Sequence, residues 1–441
     1  MPARPSRRRS AILTLGVLAA TIAHGSLAAS AAEPVPPADA AAHWLAGELA
    51  ANEGMLTITF GTDVFPDPGL TIDAILAELA AGHGDDPVVA TATAAVDAAT
   101  FDYVNQLSAF PADRAANATA KALLLQEVLG TDLGATVDLE ADLRSLMATT
   151  GDGTGRFNDT DLQGYGNYAN GLGQALAVLA LDRTGGGVPT EAVDFLLDQQ
   201  CADGSFRLYY FGYITSYDPF ETVDDLTCTN PADGDVDATA LALSALVAAP
   251  STPASSGAID DAVEFLVAAQ LPSGGFLGTG AANANSTGLA AQALRAAGYA
   301  DDADRAAAFL ADLQVQACAD FGAIAYDQAA FDAGVDANRD QWIRATAQGV
   351  LGMGLPSYAD IGAVGSVAGL APIACPETPH VDIWPTTVPP TVAAGGSTTL
   401  PVTGSQAPAE AAIGIMLVLV GGTLVRSGRR RQRAHRVAGR A

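Results

Sequence analysis

Residues 235–239, Asp-Val-Asp-Ala-Thr, set two carboxyls two positions apart where an Ala/Leu-rich run begins. Paired carboxyls can work as acid and base once their surroundings separate their pKa values. An Asp in such a place also caps a helix, because its side chain accepts from an exposed N–H of the first turn. Asn117, Asn167 and Asn285 stand at the matching point of similar runs, so capping is the expectation for Asp237 and proton donation the competing one. A second set of groups lies between 201 and 234, where Glu221, Asp224 and Asp225 accompany Tyr209, Tyr210, Tyr213 and Tyr217. A long loop of that composition suits a sugar subsite or a solvated, tethered surface loop. The third chemical feature is Leu400-Pro401-Val402-Thr403-Gly404, followed by an uncharged run and seven arginines from Arg426 to Arg440.

Compartment follows from both ends. Arg4, Arg7, Arg8 and Arg9 precede the largely apolar stretch 11–27, and Ala29-Ser30-Ala31 offers small residues for cleavage, so residues 1–31 read as a signal peptide. The uncharged run 411–425, extended back to Pro408, approaches the length of a membrane span. Its arginine tail keeps that end cytoplasmic. The pentapeptide, apolar run and tail together resemble the LPxTG sorting signal of Gram-positive surface proteins. That resemblance implies a sortase that cleaves Thr403–Gly404 and joins Thr403 covalently to peptidoglycan. Residues 376–399, rich in Pro, Thr and Gly, then serve as a wall linker.

The whole chain carries 21 basic and 49 acidic residues. Without residues 1–31 and those after Thr403 it keeps 10 and 48, a net charge of −38. A surface so acidic repels nucleic-acid phosphates and stays solvated. The four cysteines lie in no CxxC pair, and an exported chain with an even count reads as two disulfides. Proximity favours Cys201–Cys228 and Cys318–Cys375, and no metal site is expected.

The elements that would position these groups repeat. Phe-Leu with Gln five residues after the Phe recurs at Phe195, Phe265 and Phe309. The first two copies lead into the turns "CADGSF" and "LPSGGF". Asp, Asn or Gln at 73, 117, 167, 237, 285 and 341 opens Ala/Leu-rich helices, and between them lie helices near 40–50, 91–107, 139–148, 190–200, 258–270 and 304–314. Repeats of this length signify stacked helical hairpins. Helices apolar all round belong inside.

Six hairpins closing into a ring, over roughly residues 40–370, resemble the (α/α)6 toroid of terpenoid cyclases, protein prenyltransferase β-subunits and cobalamin carriers. The expected fold of residues 32–375 is therefore an all-α toroid. The resemblance tests each relative's chemistry. Asp237 matches the proton-donating Asp of the cyclase DxDD motif, but Ala238 replaces its last Asp, and only 6% of residues are aromatic. No Cys and His match the prenyltransferase zinc site. Cobalamin carriers hold their ligand against a second, β-rich domain. Here the toroid runs into the linker, so cobalamin would bind on the toroid alone or with a partner.

The expectation is a wall-anchored toroid that binds a small molecule or glycan without a resident cofactor. The alternative is a secreted toroid enzyme acting on glycan or isoprenoid. The inner helices should run parallel and gather their N-termini at one mouth, with Tyr165, Phe206, Tyr209, Tyr210, Tyr213, Asp235, Asp237 and Asn285 as ligand contacts.

Overall fold

The computed structural model describes residues 34–162, 166–210, 226–278, 280–362 and 370–375. The sorting pentapeptide, the linker, the signal segment, Tyr165 and Tyr213 lie outside the described residues. Among the described residues no helix is long and apolar enough to cross a membrane.

Six helices form the inner ring: α2 (Pro68–Ala80), α4 (Ala116–Leu129), α6 (Gly171–Arg183), α8 (Val236–Ala248), α10 (Ala284–Ala296) and α13 (Arg339–Gly349). Each packs on the next in that order, and α13 packs back on α2, so the ring closes. Outside it stand α1 (Pro37–Ala51), α3 (Pro87–Asn105), α5 (Leu139–Ser145), α7 (Thr190–Asp198), α9 (Pro253–Ala269) and α11 (Ala300–Asp312). A short helix α12 (Gln328–Ala333) lies in the last connector. Small two-stranded hairpins lead into inner helices: β1 (Thr57–Phe60) with β2 (Asp63–Pro66), β3 (Phe206–Arg207) with β4 (Gly234–Asp235), and β5 (Phe276–Leu277) with β6 (Ala282–Asn283). This is the expected (α/α)6 toroid. The Ala-rich inner helices are buried on nearly every side because small side chains let them approach one another and the outer ring together.

The glutamines of the repeat are latches. Gln200 Nε2 donates to Gly204 O in its own turn (3.1 Å) and to Ala258 O on α9 (2.8 Å). Gln270 joins Gly274 O to Asp302 O on α11, and Gln314 joins Gly322 O to Pro37 O on α1. Each latch therefore ties one outer helix to the next, and the last ties the end of α11 to the start of α1. Gly204 sits at φ +86° with its backbone against Asp261 O, where an added Cβ would come within 2.2 Å. The backbone N–H two residues after each glycine is taken by a threonine of the next inner helix: Phe206 N by Thr239, Phe276 N by Thr287, and Ile324 N by Thr346.

Both expected disulfides are present. Cys201–Cys228 and Cys318–Cys375 each have a Cα–Cα distance of 4.9 Å.

Candidate functional site in the toroid lumen

The helix caps lie earlier than the sequence reading places them. Asp235, not Asp237, caps α8, accepting from Ala238 N at 2.8 Å. Asn283, not Asn285, caps α10, and Asn170, not Asn167, caps α6. Asp67 caps α2, six residues before Asp73. Ala115 and Asn338 occupy the cap positions of α4 and α13 without a side-chain bond, so neither Asn117 nor Gln341 is a cap. The polar residue alternates with a small one (Asp-Val-Asp, Asn-Ala-Asn), and the first of the two meets the exposed N–H groups. The second is thereby released for another task.

That task is set by helical geometry. Positions i and i+4 share a face. Asn117 and Lys121 on α4, Leu172 and Leu176 on α6, and Asp237 and Leu241 on α8 each keep 5 to 8% of their exposure. So do Leu289 on α10 and the pair Arg344 and Gln348 on α13, at 7 to 9%. Most residues on the other faces of these helices fall to 0 or 1%. With Asn285 one turn above Leu289 and Gly69 one turn above Asp73, the same two rows recur on all six inner helices. They are the wall of the lumen. The first row sits at the N-terminal mouth, and the second lies one turn deeper. The other end is closed by residues 355–361, held by Arg183 Nη2 to Tyr358 O (2.9 Å) and Ala359 O (2.8 Å), and by Tyr358 N donating to Gln292 Oε1 (3.1 Å). Among the described residues, wall and floor together have the outline of a cup.

Its polar groups are incompletely satisfied. Lys121 Nζ lies 2.5 Å from Asp73 Oδ1, and Gln348 Nε2 donates to Asp73 Oδ2 at 3.2 Å. Arg344 Nη2 pairs with Asp67 Oδ2 at 2.7 Å. In contrast, Asn117 Oδ1, Asp237 Oδ1, Asn285 Oδ1, Gln348 Oε1 and Arg344 Nη1 are buried and have no hydrogen-bond partner among the described residues. Burial, seconded by the charge of Asp235, pushes the Asp237 carboxyl up to about 7, while the nearby Ser286 hydroxyl works against the shift. Burial also raises Asp235, against the pull of its N–H partners. Near neutral pH the mouth therefore holds a carboxyl poised between its two forms, as general acids are.

The aromatic contacts expected at the mouth are arranged otherwise. Phe206 is a core residue at 1% exposure. Tyr210 turns its ring edge-on to Phe195 of α7 (5.3 Å between centroids) and lies under the Arg156 and Arg207 guanidiniums. Both serve the packing of inner ring on outer ring because their rings bury more area there than a loop tip offers. Tyr209 is half-buried beside them. The lumen residues Lys121, Leu172, Leu176, Leu241, Leu289, Arg344 and Gln348 escaped sequence reading. Their i, i+4 pairing was visible, but which face of an all-apolar helix meets the axis was not.

A cavity of about 30 Å³ between the α3–α4 and α5–α6 connectors is lined by Asp113, Asp159 and Asp161. It has room for about one or two waters. Its carboxylates hold loops, with Asp113 accepting from Leu162 N and Asp159 from Ala116 N and Tyr168 N. Among the described residues no three His, Cys, Asp or Glu side chains are grouped as a metal would need.

No known family profile matches the chain, and no curated protein matches it. Among solved structures, the type II terpene cyclase MstE from Scytonema is 14% identical with a TM-score of 0.48, covering 72% of this chain and 98% of that one. The ent-copalyl diphosphate synthase from Streptomyces platensis is 19% identical with a TM-score of 0.34, covering 71% of this chain and 49% of that one. A UGL variant with dGlcA-Glc-Rha-Glc is 11% identical with a TM-score of 0.44, covering 72% of this chain and 95% of that one. Likenesses this distant say nothing about ligand or reaction. The class of this protein, a closed six-hairpin toroid, rests on its own ring of helix contacts.

Proposed function

We propose that this is an exported, wall-displayed toroid whose lumen binds a small polar molecule or part of a glycan at the N-terminal mouth. One observation carries the binding reading: buried polar atoms without partners gather at equivalent lumen positions of α4, α8, α10 and α13. Leaving such atoms unpaired costs about 1–3 kcal/mol each, which water or a ligand in the cup would recover. Display rests on the sequence alone, through sortase cleavage after Thr403 and attachment to peptidoglycan. Native mass spectrometry of the mature chain, as purified from its own cells, tests the binding. The wild type should carry a bound mass that Asn117→Ala and Asn285→Ala lose. Equal masses throughout would refute it. Replacing Leu400-Pro401 by Ala-Ala should move the protein from wall digests to membrane or medium, and persistence in the wall would refute the display.

A second reading has its own support. A carboxyl pushed up to about 7 at Asp237 suits a general acid, so the cup could turn its ligand over. Asp237→Asn should then abolish turnover while leaving binding intact.

A further inference from the structure

The lumen is two-sided. Three neighbouring helices, α6, α8 and α10, present Leu172, Leu176, Leu241 and Leu289 to it, with Asp237 and Asn285 above them at the rim. The other three, α13, α2 and α4, present Arg344, Gln348, Asp73, Lys121 and Asn117. Charge within the polar wall is matched internally, Asp73 by Lys121 and Arg344 by Asp67. An anionic ligand would therefore find no uncompensated countercharge. The atoms that lack partners among the described residues are of both kinds. They include the acceptors Asn117 Oδ1, Asn285 Oδ1, Asp237 Oδ1 and Gln348 Oε1, the donors Arg344 Nη1 and Gln292 Nε2, and the Ser286 hydroxyl, which can do either.

We infer that the occupant is a neutral sugar ring, entering as a monosaccharide or as the terminal residue of a longer glycan. The inference rests on the lumen being a ligand cup. A sugar ring has hydroxyls at its edge, which donate and accept at once, and C–H groups on its faces. The hydroxyls answer acceptors and donors alike, and a C–H face lies on the leucine wall. A free hydrocarbon chain would cover the leucines and leave every acceptor unpaired. A carboxylate or phosphate would set its oxygens against the acceptors. The approach to the cup has the same character. Val64, Leu107, Phe110, Leu162 and Leu277 are exposed on the connectors that lead into inner helices, where further sugar residues of a chain would pass. Five of the six large exposed hydrophobics among the described residues are at this end, and only Tyr299 is not.

The test follows the lumen leucines by methyl NMR in the mature chain. Probes are D-glucose, D-galactose, D-mannose and N-acetylglucosamine, with D-glucuronate and detergent-dispersed geranylgeraniol as charged and apolar comparators. At least one neutral sugar should shift the methyls of Leu172, Leu176, Leu241 and Leu289 together. Asn117→Ala and Asn285→Ala, neither of which removes a helix cap, should each weaken that probe about tenfold, the size of one hydrogen bond. Shifts with D-glucuronate or geranylgeraniol alone would overturn the sugar and leave the cup standing. No shift with any neutral sugar would also overturn it, and the native mass measurement would then decide the cup separately.

Discussion

At the residue scale, Asp235 and Asp237 divide between them two roles that either residue type can fill. Asp235 accepts from the first turn of α8, so Asp235→Ala should lower stability by about 1 kcal/mol in denaturant titration. Asp237 has no cap bond, and its carboxyl is raised to about 7. A carboxyl raised on folding stays protonated in the native chain where the unfolded chain has already released its proton. It therefore costs stability increasingly as pH rises from about 4 to about 7. Asp237→Asn removes that dependence. The stability of the variant minus that of the wild type should grow across this window and level off above it. A difference independent of pH would mean that the carboxyl is ionised in the fold. The sequence showed an Asp in the right place but not which of two, because a cap preference names a residue type and leaves the register open. Tyr210 was misread for a related reason: a tyrosine on a polar loop looks like a ligand contact until Phe195 and two arginines are seen to surround it.

At the element scale, the hairpin repeat was legible because its latch combines side chains with a fixed spacing. Gln200 to Gly204 and Gln270 to Gly274 both span four residues, and each glutamine bonds that glycine's carbonyl and a carbonyl of the next outer helix. Gln200→Ala leaves Gly204 O and Ala258 O without that donor, and should cost about 2–4 kcal/mol in denaturant titration. Gly204→Ala adds a methyl against Asp261 O in a left-handed backbone conformation, and should be at least as damaging. A change under about 0.5 kcal/mol at either position would show that the outer ring is held otherwise. The inner helices were legible as buried elements from their alanines. Their lumen faces were not, since an axis-facing leucine and a core leucine read alike.

At the scale of the whole molecule, the ring is closed by contacts between residues far apart in sequence. Arg344 reaches Asp67, Gln348 reaches Asp73, Gln314 latches onto Pro37, and Val35 pairs with Ile373. Cys318–Cys375 fastens the departing chain beside this seam. Removing the bond by Cys318→Ser with Cys375→Ser should lower the thermal midpoint, with about 4 kcal/mol as the upper bound from loop entropy. The central claim is that this closed ring keeps its lumen for a polar guest. It is tested most directly by native mass spectrometry of the mature chain from its own cells, beside the Asn117→Ala and Asn285→Ala variants. The account predicts a bound mass on the wild type that is absent from both variants. A wild-type chain of bare polypeptide mass, indistinguishable from the variants apart from the substitutions themselves, would contradict it.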